Sequence, residues 1–269
     1  FEPTEENPFV SIKKPHNLPS APLTYEDTYN ALYQAAEYFP EILNVKGRKE
    51  VERGLIHRLD TVTEGILLVA LKQDFYDKML EIQSSDKFIK YYRADCNICK
   101  DNVSTLGGFP PSVIEPEALK CNDIVCTKSY FRSYGIGGKE VRPVTQDSNQ
   151  AALKKLKSMN EYMTEIHIKD ISKEKVSVIC KISRGYRHQV RCHLAWAGIP
   201  CENDPLYNSL FMNSTGKKSE NIKFEAVGFE FIHPYSDKDC MENREQMVKN
   251  IGNKEVTMWL SNHQFSEGN

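Results

Sequence analysis

Continuous apolar runs, two-residue alternation and three-to-four-residue spacing divide the chain into elements. "FVSIKK" (9–14) reads as a short strand ended by Pro15, and "PHNLPSAP" after it as an extended loop. Thr24 with Asp27 three residues on forms a capping-box pattern. Leu32, Ala36 and Phe39 then recur at helical spacing until Pro40 stops the helix. "GILLVAL" (65–71) is a buried strand, and "QDFYDKMLEIQSSD" (73–86) a helix with Phe75, Met79 and Leu80 on one face. "KFIKYYRADC" (87–96) is a further strand. "EYMTEIHIK" (161–169) and "KVSVICKIS" (175–183) alternate about the turn "DISKE" and predict an antiparallel hairpin. "QAALKKLKSM" (150–159) is a short helix, and Val190, Leu194 and Ala197 mark one face of another, with Arg187 and Arg191 sharing a second face. "VGFEFIHP" (227–234) closes the series as a strand. Strands and helices mix without a βαβ rhythm, so the pattern predicts an α+β fold. Residues 97–127, with "GGFPPS" in their middle, read as an irregular insertion in a single domain spanning 1–269.

No apolar run approaches the roughly 20 residues that a spanning helix needs, so no membrane partner is expected. The acidic start "FEPTEENPF" lacks the layout of a signal peptide, and a cytoplasmic location is expected. A net charge of −2 argues against a uniformly basic surface, so any nucleic-acid affinity must come from local patches. "KISRGYRHQVRCH" (181–193) carries Lys181, Arg184, Arg187 and Arg191 with no acid. "KSYFRSYGIGGKEVR" (128–142) carries four cations against Glu140 alone. Alone, either segment reads as a solvated cationic face; the interleaved Tyr130, Phe131, Tyr134 and Tyr186 add rings on which bases could stack. Eight cysteines without secretory features read as reduced thiols. Cys96-x-x-Cys99 with Cys121 and Cys126 is a candidate zinc set, but buried or incidental thiols are the favoured reading and no metal is assigned.

The stretch "GLIHRLDTVTEG" (54–65) places His57, Arg58, Asp60 and Thr61 before the apolar run. By itself Asp60 reads as an Asx-turn residue before the strand rather than as a reacting group. A kinase loop is set aside because Leu59 separates Arg58 from Asp60 and no glycine-rich loop is present; a phosphatase-type nucleophile is set aside because Val62, not Asp, lies two residues on.

The wider pattern resembles the RluA family of RNA pseudouridine synthases. "GLIHRLDTVTEGILLVA" is similar to its His-Arg-Leu-Asp signature through His57, Arg58, Leu59, Asp60, Thr63 and Gly65, with Glu64 where serine is usual. Lys14, Pro15 and Leu18 resemble its Lys-Pro loop, with Asn17 in place of glycine. Lys90, Tyr92 and Ala94 resemble its Lys-x-Tyr-x-Ala strand. "RGYRHQVRCHLAWAGIPCENDPLYN" resembles its His-Gln-Ile-Arg and Asp-Pro-Leu-Tyr segments, with Tyr186 where an arginine is usual and Arg187 one place later. The resemblance runs from about residue 9 to residue 234. No S4-type RNA-binding domain precedes the first motif, so the visible chain resembles the catalytic domain alone.

The resemblance implies a central, mostly antiparallel mixed sheet flanked by helices and loops, with an RNA-binding cleft. It implies isomerisation of uridine to pseudouridine in ribosomal or transfer RNA. Asp60 is then the nucleophile or base, Arg191 its partner cation, and Tyr92 the residue stacked on a flipped-out uracil. Arg58 fills the vacated base position; His57, Thr63, His188 and Gln189 belong to the substrate site; Lys14, Lys90, Arg184 and Arg187 hold phosphates. RNA is the only partner implied, with no cofactor, and a monomer is expected. The rival is a non-catalytic RNA-binding protein retaining the fold, toward which Tyr186, Asn17 and Asn203 are mild departures.

Overall fold

The computed structural model describes residues 3–112, 114–156, 158–213 and 220–235; Cys240 lies outside them. In chain order the elements are β1 (Phe9–Lys14), α1 (Ala31–Ala36), β2 (Glu64–Ala70), α2 (Gln73–Ser84), β3 (Ile89–Asn97), α3 (Asn102–Leu106) and β4 (Ile124–Tyr134). There follow β5 (Glu140–Val144), α4 (Gln150–Leu153), β6 (Tyr162–Ile171), β7 (Lys175–Ile182), α5 (Gln189–Trp196), α6 (Ser209–Met212) and β8 (Phe224–Glu230). The architecture is α+β, with a mostly antiparallel sheet and few helices, as the mixed periodicities predict. No helix among the described residues is long and apolar enough to cross a membrane.

The chain forms two compact units. The first comprises the described residues up to Lys90 together with Ala226–Tyr235. Its strands lie in the order β1-β2-β8. β1 and β2 pair antiparallel from Phe9 opposite Ala70 to Lys14 opposite Gly65. β2 is buried along its length beyond Glu64, as a run without alternation requires. α2 lays Phe75, Tyr76 and Met79 against Phe9, Leu68 and Phe88, and Phe9 stacks on Phe75 at 5.0 Å. Helix α1 begins later than the capping-box pattern predicts. Asp27 closes a turn on Leu23 and Thr24, and the Asn30 side chain caps the helix by accepting from Tyr33 N at 3.0 Å. Pro40 ends no long helix; it opens a short 3₁₀ turn over Pro40–Asn44.

The second unit spans Tyr91–Glu225, with strands in the order β3-β7-β6-β4-β5. The predicted hairpin is β6–β7, antiparallel with a shift between Ile168 and Asp170. The segment expected to be irregular up to residue 127 holds α3 and the start of β4; pairing of Ile124 with His167 and of Val125 with Ile166 makes a strand where local pattern shows none. Helix α5 is buried at every position from Gln189 to Trp196, so the two-faced helix expected from the spacing is not formed. His188 precedes it in the left-handed region at φ 57°, which puts Arg187 outside the helix.

Two features have direct energetic consequences. Gly65 sits at φ 124°, where a Cβ would lie 2.3 Å from Ala226 O and 2.4 Å from Ala226 N. Gly65→Ala is expected to cost about 2–4 kcal/mol, read as a lowered urea midpoint at unchanged slope. His193, fully buried on α5, stacks on Phe131 and contacts the hydroxyls of Ser129 (2.9 Å) and Thr164 (2.8 Å); burial lowers its pKa to about 3. Between the ordinary histidine value and that depressed one, the unfolded chain binds a proton that the native chain refuses, so stability falls as pH drops through this window. His193→Asn is expected to flatten the decline between neutrality and about pH 5 by roughly 2 kcal/mol, measured by urea unfolding at each pH.

Candidate active site

The turn 59–63 that carries Asp60 has no strand or helix ladder, and its carbonyls are taken up largely by side chains of β1 and the Pro-rich loop after it. Ser20 Oγ donates to Leu59 O (2.8 Å) and accepts from Leu59 N (2.9 Å). Thr63 N donates to Asp60 O at 3.0 Å. Lys14 Nζ donates to Thr61 O (3.1 Å), and His16 Nδ1 donates to Val62 O (2.8 Å). Every carbonyl from 59 to 62 therefore has a donor, and Asp60 stands half-buried on a fixed turn.

Lys14 is buried outright, and its remaining protons go to Pro15 O (2.9 Å) and Leu18 O (2.8 Å). Burial lowers its pKa to about 8, opposed by the negative charges of Asp60 and then Glu64. In place of the expected phosphate contact, its three protons serve the loop and the turn, and its charge lies within reach of the Asp60 carboxylate. His16 Nε2 meets Glu64 Oε1 at 2.9 Å.

Other residues singled out in this unit have varied settings. His57 turns its ring toward Phe88 and Phe229 (5.5 and 6.3 Å), and Nε2 accepts from Leu68 N at 3.3 Å. Burial, then the Lys90 charge, lowers its pKa to about 3. His57 is thus a neutral buttress under the turn, and its buried Nδ1 has no hydrogen-bond partner among the described residues. Thr63 is buried, with its Oγ1 in the same condition. Arg58 is exposed and reaches Glu52 Oε1 at 2.6 Å. Lys90 lies over the Phe88 ring at 5.5 Å, and desolvation brings its pKa to about 8.

In the second unit the central group is Arg191. It is buried on α5, forked onto Asp204 through Nε–Oδ2 and Nη2–Oδ1, both 2.8 Å, and held over the Tyr207 ring at 5.3 Å. Asp204 Oδ1 also accepts from Leu206 N and Tyr207 N, so the Asp-Pro-Leu-Tyr turn itself aims the carboxylate. Sequence reasoning gives Asp204 no role; its position at the head of the matched Asp-Pro-Leu-Tyr segment is the signal that could have found it. Tyr92 is nearly buried and stacks on Phe224 at 5.2 Å and 10°. Gln189 is committed to structure: Nε2 donates to Met163 O and Thr164 Oγ1, and Oε1 accepts from Tyr186 N. His188 Nδ1 lies 2.9 Å from Tyr207 Oη. Arg187 is exposed and donates to Gly138 O and Glu140 O; Arg184 is half-buried. Tyr186 stacks on Phe131 at 4.9 Å and 6°, adding a ring where the resembling family has a guanidinium.

Not all of the basic segment 128–142 is a solvated face. Arg142 is buried with Glu140 (2.7 Å) and Gly107 O (2.8 Å), its guanidinium over the rings of Tyr134 (4.1 Å) and Phe109 (4.4 Å). The candidate zinc set is not assembled: Cys96 forms an isolated β-bridge with Cys201, Cys99 contacts Ser209, and Cys121 donates to Lys169 O. Among the described residues no group of His, Cys, Asp or Glu is arranged to hold a metal ion.

Residues 8–196 match the profile of the RNA pseudouridylate synthase family. Ribosomal large subunit pseudouridine synthase D of Buchnera aphidicola is 24% identical over 195 residues, covering 69% of this chain and 51% of that protein. A Mycoplasma pneumoniae protein named as an uncharacterized RNA pseudouridine synthase is 24% identical over 261 residues, covering 93% of this chain and 67% of its own. The chain thus spans about half the length of the Buchnera relative. The solved human RNA pseudouridylate synthase domain containing 1 has the same fold, with a TM-score of 0.52 at 16% identity over 82% of this chain and 74% of its own. With the family profile covering most of the chain from β1 through α5, this protein belongs to the RNA pseudouridylate synthase family.

Proposed function

We propose that the chain acts as an RNA pseudouridine synthase in which Asp60 is the reacting carboxylate. The reaction breaks the N1–C1′ bond of a uridine, turns the base and rejoins it through C5, so substrate and product have the same atoms. It needs one ionised carboxylate at the sugar or base. The observation that carries the reading is the turn 59–63, whose carbonyls from 59 to 62 are all satisfied while the Asp60 carboxylate stands within reach of the buried Lys14 charge.

The family resemblance assigns Arg191, which Asp204 aims, as the partner cation of the reaction, and Tyr92, with Phe224 behind it, as the ring that stacks on the extracted uracil. Arg58, exposed and anchored at one end by Glu52, reaches into the vacated base position. Lys90, Arg184 and Arg187 contact phosphates, which position RNA without reading its sequence. Lys14, His57, Thr63, His188 and Gln189 hold the walls of the site. The substrate is ribosomal RNA, as the names of the Buchnera relative and its counterparts in Pseudomonas aeruginosa and Yersinia pestis suggest; the enzyme works as a cytoplasmic monomer.

Asp60→Asn is expected to lower pseudouridine formation by roughly a thousandfold or more with RNA affinity changed less than about twofold. Tritium release from C5-labelled uridine in ribosomal and transfer RNA, with filter binding of the same RNAs, checks this. Near-normal turnover of the variant would refute the assignment, and release from transfer RNA alone would move the substrate.

A further inference from the structure

We propose that His16 is a positioning residue for Asp60, acting in its doubly protonated form through Val62 and Glu64. The inference rests on the reading that Asp60 reacts, and extends it to a residue no sequence motif singles out.

The two contacts of the ring fix its protons. Val62 O can only accept, so His16 Nδ1, 2.8 Å away, carries a proton. The Glu64 carboxylate accepts as well, so Nε2, 2.9 Å from Oε1, carries the other. A ring that makes both contacts is an imidazolium. A neutral ring keeps one proton and must leave either the carbonyl or the carboxylate without a donor. The His16 side chain is 14% exposed and that of Glu64 31%, so the pair is only partly screened by solvent.

The contacts fall where they govern the turn. Val62 O is the last carbonyl of 59–62, and the next amide, Thr63 N, closes the turn onto Asp60 O. Glu64 is the first residue of β2, so His16 ties the loop after β1 to both the exit of the turn and the strand that receives it. Three charged groups lie around this juncture. They are Glu64 from β2, Lys14 from β1 and Asp60 on the turn, the two carboxylates both lying within reach of the Lys14 charge. Ser20 and Lys14 hold Leu59 O and Thr61 O by contacts that do not depend on the imidazole. Loss of the second His16 proton therefore loosens the exit of the turn while its entry stays held, and the Asp60 carboxylate loses orientation rather than its place in the chain.

The test compares wild type, His16→Ala, His16→Asn and Glu64→Gln, each first shown to melt cooperatively. Amide hydrogen-exchange protection of the segment 59–64 in free protein, corrected for intrinsic rates, needs no activity. Wild-type protection is expected to fall as the ring loses its second proton with rising pH, to be low and nearly flat with pH in His16→Ala, and to be partly restored and flat in His16→Asn, whose amide still donates to Val62 O. Single-turnover pseudouridine formation at saturating RNA is expected to follow the same profile, with Glu64→Gln reduced about fivefold near pH 8 and RNA affinity unchanged. Equal protection and equal turnover in wild type and His16→Ala at all pH values would overturn the proposal. A loss of protection in His16→Ala, together with an Asp60→Asn enzyme that still turns over, would keep the His16 clamp as architecture and overturn the reading of Asp60.

Discussion

A turn that carries a half-buried carboxylate poses a hydrogen-bonding problem of its own. The turn has no ladder of its own, and an unsatisfied buried carbonyl costs about as much as the hydrogen bond it lacks. Here the Lys14 ammonium, the His16 ring and the Ser20 hydroxyl supply the donors, all from one stretch that β1 delivers beside β2. The β1–β2 register is therefore part of the site. With Lys14 opposite Gly65, the next residues of the loop run alongside the turn, and a slip by one residue would turn each donor away from its carbonyl. Gly65 makes the juncture possible because β8 passes too close for any side chain.

Burial of Lys14 has an electrostatic consequence. Taking an ammonium out of water favours its neutral form, while the carboxylates of Asp60 and Glu64 favour the charged one. The same group that ties the backbone also sets the charge balance around Asp60. The His57 ring stays neutral among Phe88 and Phe229, and gives the turn a floor that does not change charge in the physiological range.

The second unit solves a related problem for Arg191. A guanidinium with almost no exposure requires a fixed partner, and Asp204 provides a bidentate one whose own oxygen is held by two amides of the following turn. The rings of Tyr186 and Phe131 stack in series onto His193 of α5, and the tyrosine at the position where the resembling family has arginine thereby packs against a core cluster that includes Tyr162 and Tyr207.

The elements that sequence alone determined are those whose evidence is periodic and local. The run "GILLVAL", the α2 face of Phe75 and Met79, and the alternation of the β6–β7 hairpin state their burial in their own spacing, and the order of the His-Arg-Leu-Asp and His-Gln-Val-Arg segments was enough to suggest the family. Only tertiary structure decided the start of β4, whose ladder comes from β6, and the full burial of α5, whose polar residues find partners in distant segments. It also decided that Lys14 and Arg142 are interior cations rather than surface ones, and that Ser20 and His16 serve a turn some forty residues away. Periodicity reports which side of an element meets apolar surroundings; which carbonyl a buried donor reaches is set by chain segments brought together only in the folded molecule.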